Sequence, residues 1–378
     1  MTLKTGFLGY RFMGRAHANA LSRLPMFFPD APAVNREVLI GRDEDALGTA
    51  VDELGFDRYV TDWRDAIDEV DVLYNLGPND LHPDPSITAL ENDVHVLSEK
   101  PLAHTLEAAE RMAEAARESD ATAGIAFNYR FVPAIQLARD LVASGELGEI
   151  NHVRATYLQD WLVDPDAPWS WRNSAERAGS GALGDLGAHS IDLARFLLGD
   201  DVERVSGHLR TFVDERPVAE GGTGGIDAGD GSAVETREVT VDDAYTAQAE
   251  FAGGTMGLFE ASRFATGHDN ANTIELNGSK GSLRFDLERL NELEVLRADS
   301  RGFETVLVTD PDDPYLEHWW PPGHVIGWEH TFVHENYAFL SAIDGGTDYA
   351  PDFGDGLAVQ RVLEAIQRSD RTGEWTTV

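Results

Sequence analysis

Leu3-Lys4-Thr5-Gly6-Phe7-Leu8-Gly9-Tyr10-Arg11-Phe12-Met13-Gly14-Arg15-Ala16-His17 is the stretch whose reading decides the fold. Residues 3–9 read as a strand, Gly9 to Gly14 as a turn, and Arg15 to Leu21 as a helix. That succession begins a βαβ unit and sets free backbone N–H groups at a helix start, where a pyrophosphate can approach. Gly9 and Gly14 hold the outer places of G-x-G-x-x-G, but Arg11 stands where the middle glycine belongs. Its side chain either turns away or lies along a phosphate. The turn's place after a first strand supports dinucleotide binding over a merely structural glycine turn.

The same grammar continues outward. Glu37–Ile40, Val70–Leu76, Val94–Leu97 and Thr122–Phe127 read as strands, separated by helices near 44–54, 85–91 and 106–119. Strands alternating with helices imply a parallel sheet. After about residue 130 a helix near 132–143, a strand at 149–157, a loop rich in tryptophan and proline at 160–180 and a helix at 183–198 follow. From 202 to 310 come strands: 204–212, 244–251, 255–263, 273–276, 282–286 and 293–296, with hairpin turns at Ala252-Gly253-Gly254 and 277–281. Gly221–Gly231 reads as a glycine-rich, acidic surface loop, and helices near 329–343 and 354–369 close the chain. The expected fold is α/β: a Rossmann parallel sheet over residues 1–128, then an α+β domain over 129–378 with a large, open, mostly antiparallel sheet. The C-terminal helices can pack back on the first domain.

Composition narrows the function. The 378 residues include 67 acidic against 30 basic, a formal charge of −37 spread along the chain. Nucleic acid and anionic membranes are therefore not expected partners. Self-repulsion of that size is relieved by concentrated salt, which points to a salt-accumulating halophile. No stretch approaches the roughly 20 apolar residues of a membrane span. Met1–Gly6 runs into the first strand without a secretory pattern, so the cytoplasm is the expected location. There are no cysteines, hence neither disulfides nor thiolate metal sites.

Three stretches carry chemistry. Ser98-Glu99-Lys100-Pro101 follows the Val94–Leu97 strand and holds one of three lysines in the sequence. Ligands of open α/β sheets sit beyond the carboxyl ends of the strands, so the Lys100 ammonium points at whatever is bound. Gly41-Arg42-Asp43 stands after the second strand, where an acid normally takes the ribose 2′-OH. Arg42 leans the cofactor toward NADP, although Asp43 can still serve NAD. In Gly179–His189, Asp185 and His189 lie four apart and share one helix face. Glycines at 179, 181, 184 and 187 are costly in a helix and suit a close approach to its backbone. No further ligand lies at supporting spacing, so no metal is expected.

Gly9–His17, Glu99-Lys100-Pro101, Phe127-Asn128-Tyr129-Arg130 and Gly181–His189, in this order, resemble the Gfo/Idh/MocA oxidoreductases. Pro25–Phe28, Thr61–Arg64, Thr156–Trp161, Trp171-Arg172 and Glu260–Arg263 are most similar to the levoglucosan dehydrogenase branch, alongside inositol dehydrogenase-like members. The resemblance implies hydride transfer between NAD(P) and a secondary ring hydroxyl of a sugar, anhydrosugar or cyclic polyol, in a homodimer or homotetramer joined through the C-terminal sheet. It matches the catalytic lysine to Lys100 and the aspartate and histidine to Asp185 and His189. His189 is the candidate base and Lys100 stabilises the alkoxide, or the two exchange roles. The implied cofactor-binding set is Gly9, Arg11, Phe12, Met13, Gly14, Arg42, Asp43, Asn79, His82, Glu99, Lys100, Asn128, Trp171 and Arg172. A substrate pocket needs aromatic and polar side chains together, which Tyr129, Arg130, Gln159, Asp160 and Trp161 supply beside Lys100, Asp185 and His189. Two rivals stand: a tightly held dinucleotide serving both halves of a closed redox cycle, and a non-catalytic dinucleotide sensor.

Overall fold

A computed structural model describes residues 2–218 and 235–378; the acidic insert at 221–231 lies outside the described residues. In chain order the first segment forms β1 (Leu3–Leu8), α1 (Phe12–Phe27), β2 (Val34–Ile40), α2 (Glu44–Leu54), β3 (Arg58–Val60), β4 (Val72–Asn75), α3 (Pro83–Glu91), β5 (His95–Ser98), α4 (Leu106–Glu118) and β6 (Ala123–Ile125). The middle segment forms α5 (Pro133–Ala143), β7 (Ile150–Leu158), α6 (Ala175–Ala178), α7 (Ala188–Leu198), β8 (Val202–Arg210), β9 (Glu215–Pro217), β10 (Thr236–Glu238), β11 (Ala244–Phe251), β12 (Met256–Ser262), β13 (Ala271–Gly278), β14 (Ser282–Asp286), β15 (Glu292–Leu296) and β16 (Glu304–Leu307). α8 (Glu329–Gly345), α9 (Phe353–Thr372) and β17 (Thr376–Thr377) complete it. Two compact units result: residues 1–131 with 327–357, and residues 132–326 with 358–378.

The first unit is a six-stranded sheet in the order β3-β2-β1-β4-β5-β6, with every neighbouring pair parallel. Its central strands are buried along their length, as Phe7, Leu39, Leu73 and Val96 show, because helices cover both faces of such a sheet. The strand order reverses between β1 and β4, so the carboxyl ends of these two strands frame the place where α/β sheets bind ligands. Helix starts follow local chemistry: Asp43 caps α2 and Thr105 caps α4, each accepting a backbone N–H with its side chain. α8 returns from the end of the chain to pack along α1.

The second unit holds a nine-stranded sheet in the order β16-β15-β14-β13-β7-β12-β11-β8-β17. Neighbours are antiparallel except β7 and β12, which run parallel. One face alternates cleanly inward, with Val153, Ala155, Ala247, Phe251, Phe259, Ile274 and Phe285 buried, and α5 and α7 lie against this sheet. The segment 183–198, read from sequence as one helix, divides in two. Leu183–Gly187 winds as a π-helical turn and only Ala188–Leu198 is α-helical. Neighbouring elements come close enough here to require glycine: a Cβ on Gly187 would stand 2.6 Å from the Tyr245 ring, and one on Gly181 would stand 1.7 Å from the Asp242 carbonyl oxygen.

Candidate active site

In the first unit the glycine turn after β1 is built for close backbone contact. Gly9 adopts φ +117°, and a Cβ there would meet the Leu76 carbonyl oxygen at 2.7 Å. A Cβ on Gly14 would meet the Gly9 carbonyl oxygen at 2.6 Å. Arg11 is the exposed N-cap of α1, its guanidinium carbon 5.8 Å from the Tyr10 ring centre. No side chain caps α1 and no acid stands in its first turn, so the N–H groups of Phe12, Met13 and Gly14 suit a phosphate. Phe12 stacks on Trp328 at 5.5 Å. After β2, a side chain at Gly41 would run into Tyr10 at 2.3 Å, which is why no acid occupies that place. Arg42 is exposed, and Asp43 Oδ1 accepts the Ala46 N–H at 3.1 Å.

The turns after β4 and β5 are tied together. The Asn75 amide donates toward the carbonyls of Leu81 at 3.1 Å and His82 at 3.0 Å, which shapes the turn carrying the buried Asn79. The fully buried His82 ring lies 3.0 Å from the Gly77 carbonyl and 3.0 Å from the Pro101 carbonyl. Burial pushes its pKa down, against the pull of those carbonyls and the Glu99 charge. Glu99 is buried, with its carboxylate directed at His17 and at the Lys100 N–H, while Lys100 is half-buried. Asn128, Tyr129 and Arg130 form one buried 3₁₀ turn. Asn128 donates to Thr331 Oγ1 at 2.8 Å, Trp328 Nε1 donates to the Tyr129 hydroxyl at 3.3 Å, and Arg130 pairs with Asp355 at 3.2 Å. The dinucleotide fits the glycine cradle and the uncapped α1 start.

In the second unit Tyr157 faces His189 and is linked through Asn270 to Gln159 and Trp161. Tyr157 donates to Asn270 Oδ1 at 2.7 Å and Gln159 Nε2 donates to the same oxygen at 2.8 Å. Trp161 Nε1 donates to Gln159 Oε1 at 2.9 Å, and the Tyr157 and His189 rings lie 5.9 Å apart. Asp160 accepts the Gly267 N–H at 2.9 Å. Asp185 sits half-exposed on the π-helical turn, and His189 is 6% exposed in the first turn of α7. Arg172 covers the Trp171 ring at 4.6 Å, on a turn capped by Ser170.

Residues the sequence reading passed over hold this arrangement. Asp242 Oδ1 accepts the Gly181 N–H at 2.7 Å and Oδ2 the Leu183 N–H at 2.8 Å, so it anchors the turn that bears Asp185. Burial pushes the Asp242 carboxyl upward, while Arg263 and these N–H groups oppose that shift. Buried Arg216 donates to the carbonyls of Leu162 at 2.7 Å and Asp164 at 2.8 Å and fixes the loop after Trp161. Asn270 lies 111 residues from Gln159. Only the paired acids Asp242-Asp243 ahead of an alternating strand hinted at a capping role.

Known proteins share this fold and much of this sequence. Residues 3–127 match the oxidoreductase family with an NAD-binding Rossmann fold, and residues 135–284 match the GFO/IDH/MocA C-terminal domain. Levoglucosan dehydrogenase of Pseudarthrobacter phenanthrenivorans is 40% identical over 384 residues, covering 100% of this chain and 98% of that protein. An oxidoreductase domain protein from Kribbella flavida superposes with a TM-score of 0.94 at 46% identity, covering 100% of this chain and 99% of the other. A levoglucosan dehydrogenase in complex with NADH and levoglucosan superposes with a TM-score of 0.93 at 38% identity, over 100% of both chains. With one relative aligned from end to end and both halves matched by family, the chain belongs to the Gfo/Idh/MocA oxidoreductases.

Proposed function

We propose that this oxidoreductase oxidises a secondary ring hydroxyl of an anhydrosugar, pyranose or cyclic polyol, with NADP favoured over NAD. The observation that carries the substrate class is the rim beside His189: two aromatic side chains, Tyr157 and Trp161, and two amides, Gln159 and Asn270, in one hydrogen-bonded chain. Sugar rings present apolar C–H faces between hydroxyls, and such a rim offers surfaces for both. The dinucleotide supplies the carbon, C4 of its nicotinamide, that accepts the hydride. His189 removes the hydroxyl proton, Lys100 stabilises the developing alkoxide and Asp185 orients a substrate hydroxyl or the imidazole; exchange of the Lys100 and His189 roles leaves the reaction class unchanged. The NADP preference is supported by exposed Arg42 beside Gly41, and by the use of one Asp43 oxygen as a helix cap. The charge of −37 supports a salt-rich setting, and the family resemblance supports a cytoplasmic enzyme that self-associates through the nine-stranded sheet.

The test is a screen of levoglucosan, pyranoses and cyclitols with NAD and NADP in molar KCl, read at the reduced-nicotinamide absorbance. Levoglucosan leads because two of the similar proteins carry its name. Reduced cofactor with at least one sugar is expected, and Arg42→Ala should lose the preference for NADP. A screen without reduced cofactor refutes the proposal.

A further inference from the structure

The Lys100 turn rests on a buried polar cluster that the proposed hydride transfer does not itself require. His17 of α1 is 0% exposed and Glu99 is 6% exposed, and His17 Nε2 lies 3.3 Å from Glu99 Oε1. Asn336 of α8 fixes the imidazole tautomer. Its amide nitrogen lies 2.7 Å from the Phe332 carbonyl, a contact only a donor can make, so the amide orientation is set. That same nitrogen lies 3.0 Å from His17 Nδ1 and therefore donates to it. Nδ1 accepts, the ring proton sits on Nε2, and Nε2–H donates to Glu99.

The other Glu99 oxygen accepts the Lys100 N–H at 3.2 Å. One carboxylate thus joins α1 to the backbone that carries the lysine. Phe7, Tyr74 and Phe332 surround the His17 ring edge-on, with centroids 6.5, 5.6 and 5.2 Å away, so the ring is held in place. Buried Glu335, beside Asn336, keeps its proton because burial, and then the Glu99 charge, raise its pKa well above the ordinary range. A buried polar pair often contributes no more stability than apolar packing of the same volume. Its retention fits a demand for geometry at the turn it supports.

We infer that His17 and Glu99 are positioning residues for Lys100: the buried imidazole orients the carboxylate, and the carboxylate fixes the main chain from which the ammonium reaches the substrate oxygen. This gives Glu99 a role other than cofactor contact, and it rests on the dehydrogenase reading above. Lys100→Met, assayed with the sugar giving the highest rate in the screen, tests that reading separately, since near-native turnover would remove the lysine from the mechanism. His17→Phe fills the aromatic cage without the donor. It should lower kcat about ten-fold and leave both KM values within about two-fold, because a displaced reacting group costs rate more than binding. His17→Gln retains a donor and should recover most of the loss, and in the Lys100→Met background His17→Phe should change nothing further.

Loss of activity in Lys100→Met with unchanged kcat in His17→Phe would overturn the inference and spare the reading. If His17→Phe does not fold, ¹⁵N-histidine NMR of the wild-type protein, with His17→Gln to assign the resonance, decides the matter. An Nε2–H donor with an accepting Nδ1 is expected; a proton on Nδ1 contradicts the arrangement.

Discussion

Asn270 accepts hydrogen bonds from Tyr157 and Gln159 on a single oxygen. Replacing it by leucine leaves both donors without that acceptor. The two hydrogen bonds stabilise this arrangement by about 1 kcal/mol each, and a sugar that needs it preformed should bind roughly ten-fold more weakly without it. On the proposed reading, in which these side chains bind the sugar and His189 takes the proton, we expect that loss in sugar KM more than in kcat; steady-state kinetics of Asn270→Leu against Asn270→Asp, which keeps the acceptor, checks it. Glu335 supplies a second residue-scale prediction through pH. Its carboxyl titrates higher in the folded chain than in the unfolded one, so between those two values the folded state holds the extra proton. Stability from this group is complete below the ordinary carboxyl range and declines as pH rises toward the elevated value. Glu335→Gln mimics the neutral acid, so the variant's denaturant midpoint should gain on wild type as pH rises from about 4. A gap that is constant or shrinks with pH contradicts the assignment. Of these residues, Gln159 was legible in the sequence because an aromatic and polar cluster follows a strand. Asn270, His17's partners and Glu335 were not, since their roles arise from contacts between positions far apart in the chain.

The elements were legible where a periodic pattern ran long enough to be read. The alternation in β11 and β12, the apolar runs of β4 and β5 and the amphipathic α4 all follow from side-chain spacing. Three-residue β3 and the mostly exposed β16 carry no such pattern, and their pairing with β2 and β15 is a tertiary outcome. The π-helical turn escaped for a related reason: Asp185 and His189 at a spacing of four read as ordinary α-helix. The wider winding goes with contacts to Asp242 and Tyr245, some 55–65 positions further along the chain. Asp242→Asn keeps the shape but offers one acceptor to two backbone donors, leaving a buried N–H facing an amide. A destabilisation of about 1–3 kcal/mol is expected, together with a fall in kcat, because the anchored turn bears Asp185. Equilibrium unfolding and turnover of the same preparation check both; unchanged values in each would show that Asp242 does not hold the turn.

At the scale of the whole molecule, charge is the dominant feature and salt the variable that reads it. Two electrostatic effects oppose each other. Exposed pairs such as Arg15 with Glu53, Arg204 with Glu250 and Arg284 with Glu275 stabilise the fold and weaken as salt is added. Each is worth about 0–1 kcal/mol at such exposure. The excess of acids gives a net charge of −37, and its mutual repulsion is screened by the same ions, with a Debye length falling from about 10 Å at 0.1 M to about 3 Å at 1 M. The unpaired excess acts over distances longer than a contact pair, so its relief should outweigh the loss of the pairs. The thermal midpoint should therefore climb steeply from tens of millimolar to molar KCl and then level off once the screening length falls below the spacing of neighbouring carboxylates. Potassium chloride and sodium chloride should act alike if screening is the cause, whereas a salting-out contribution would make sulfate far more effective at equal ionic strength. A midpoint that stays level or falls across that range would mean that this chain compensates its charge within the fold, and the proposed salt-rich setting would lose its physical basis.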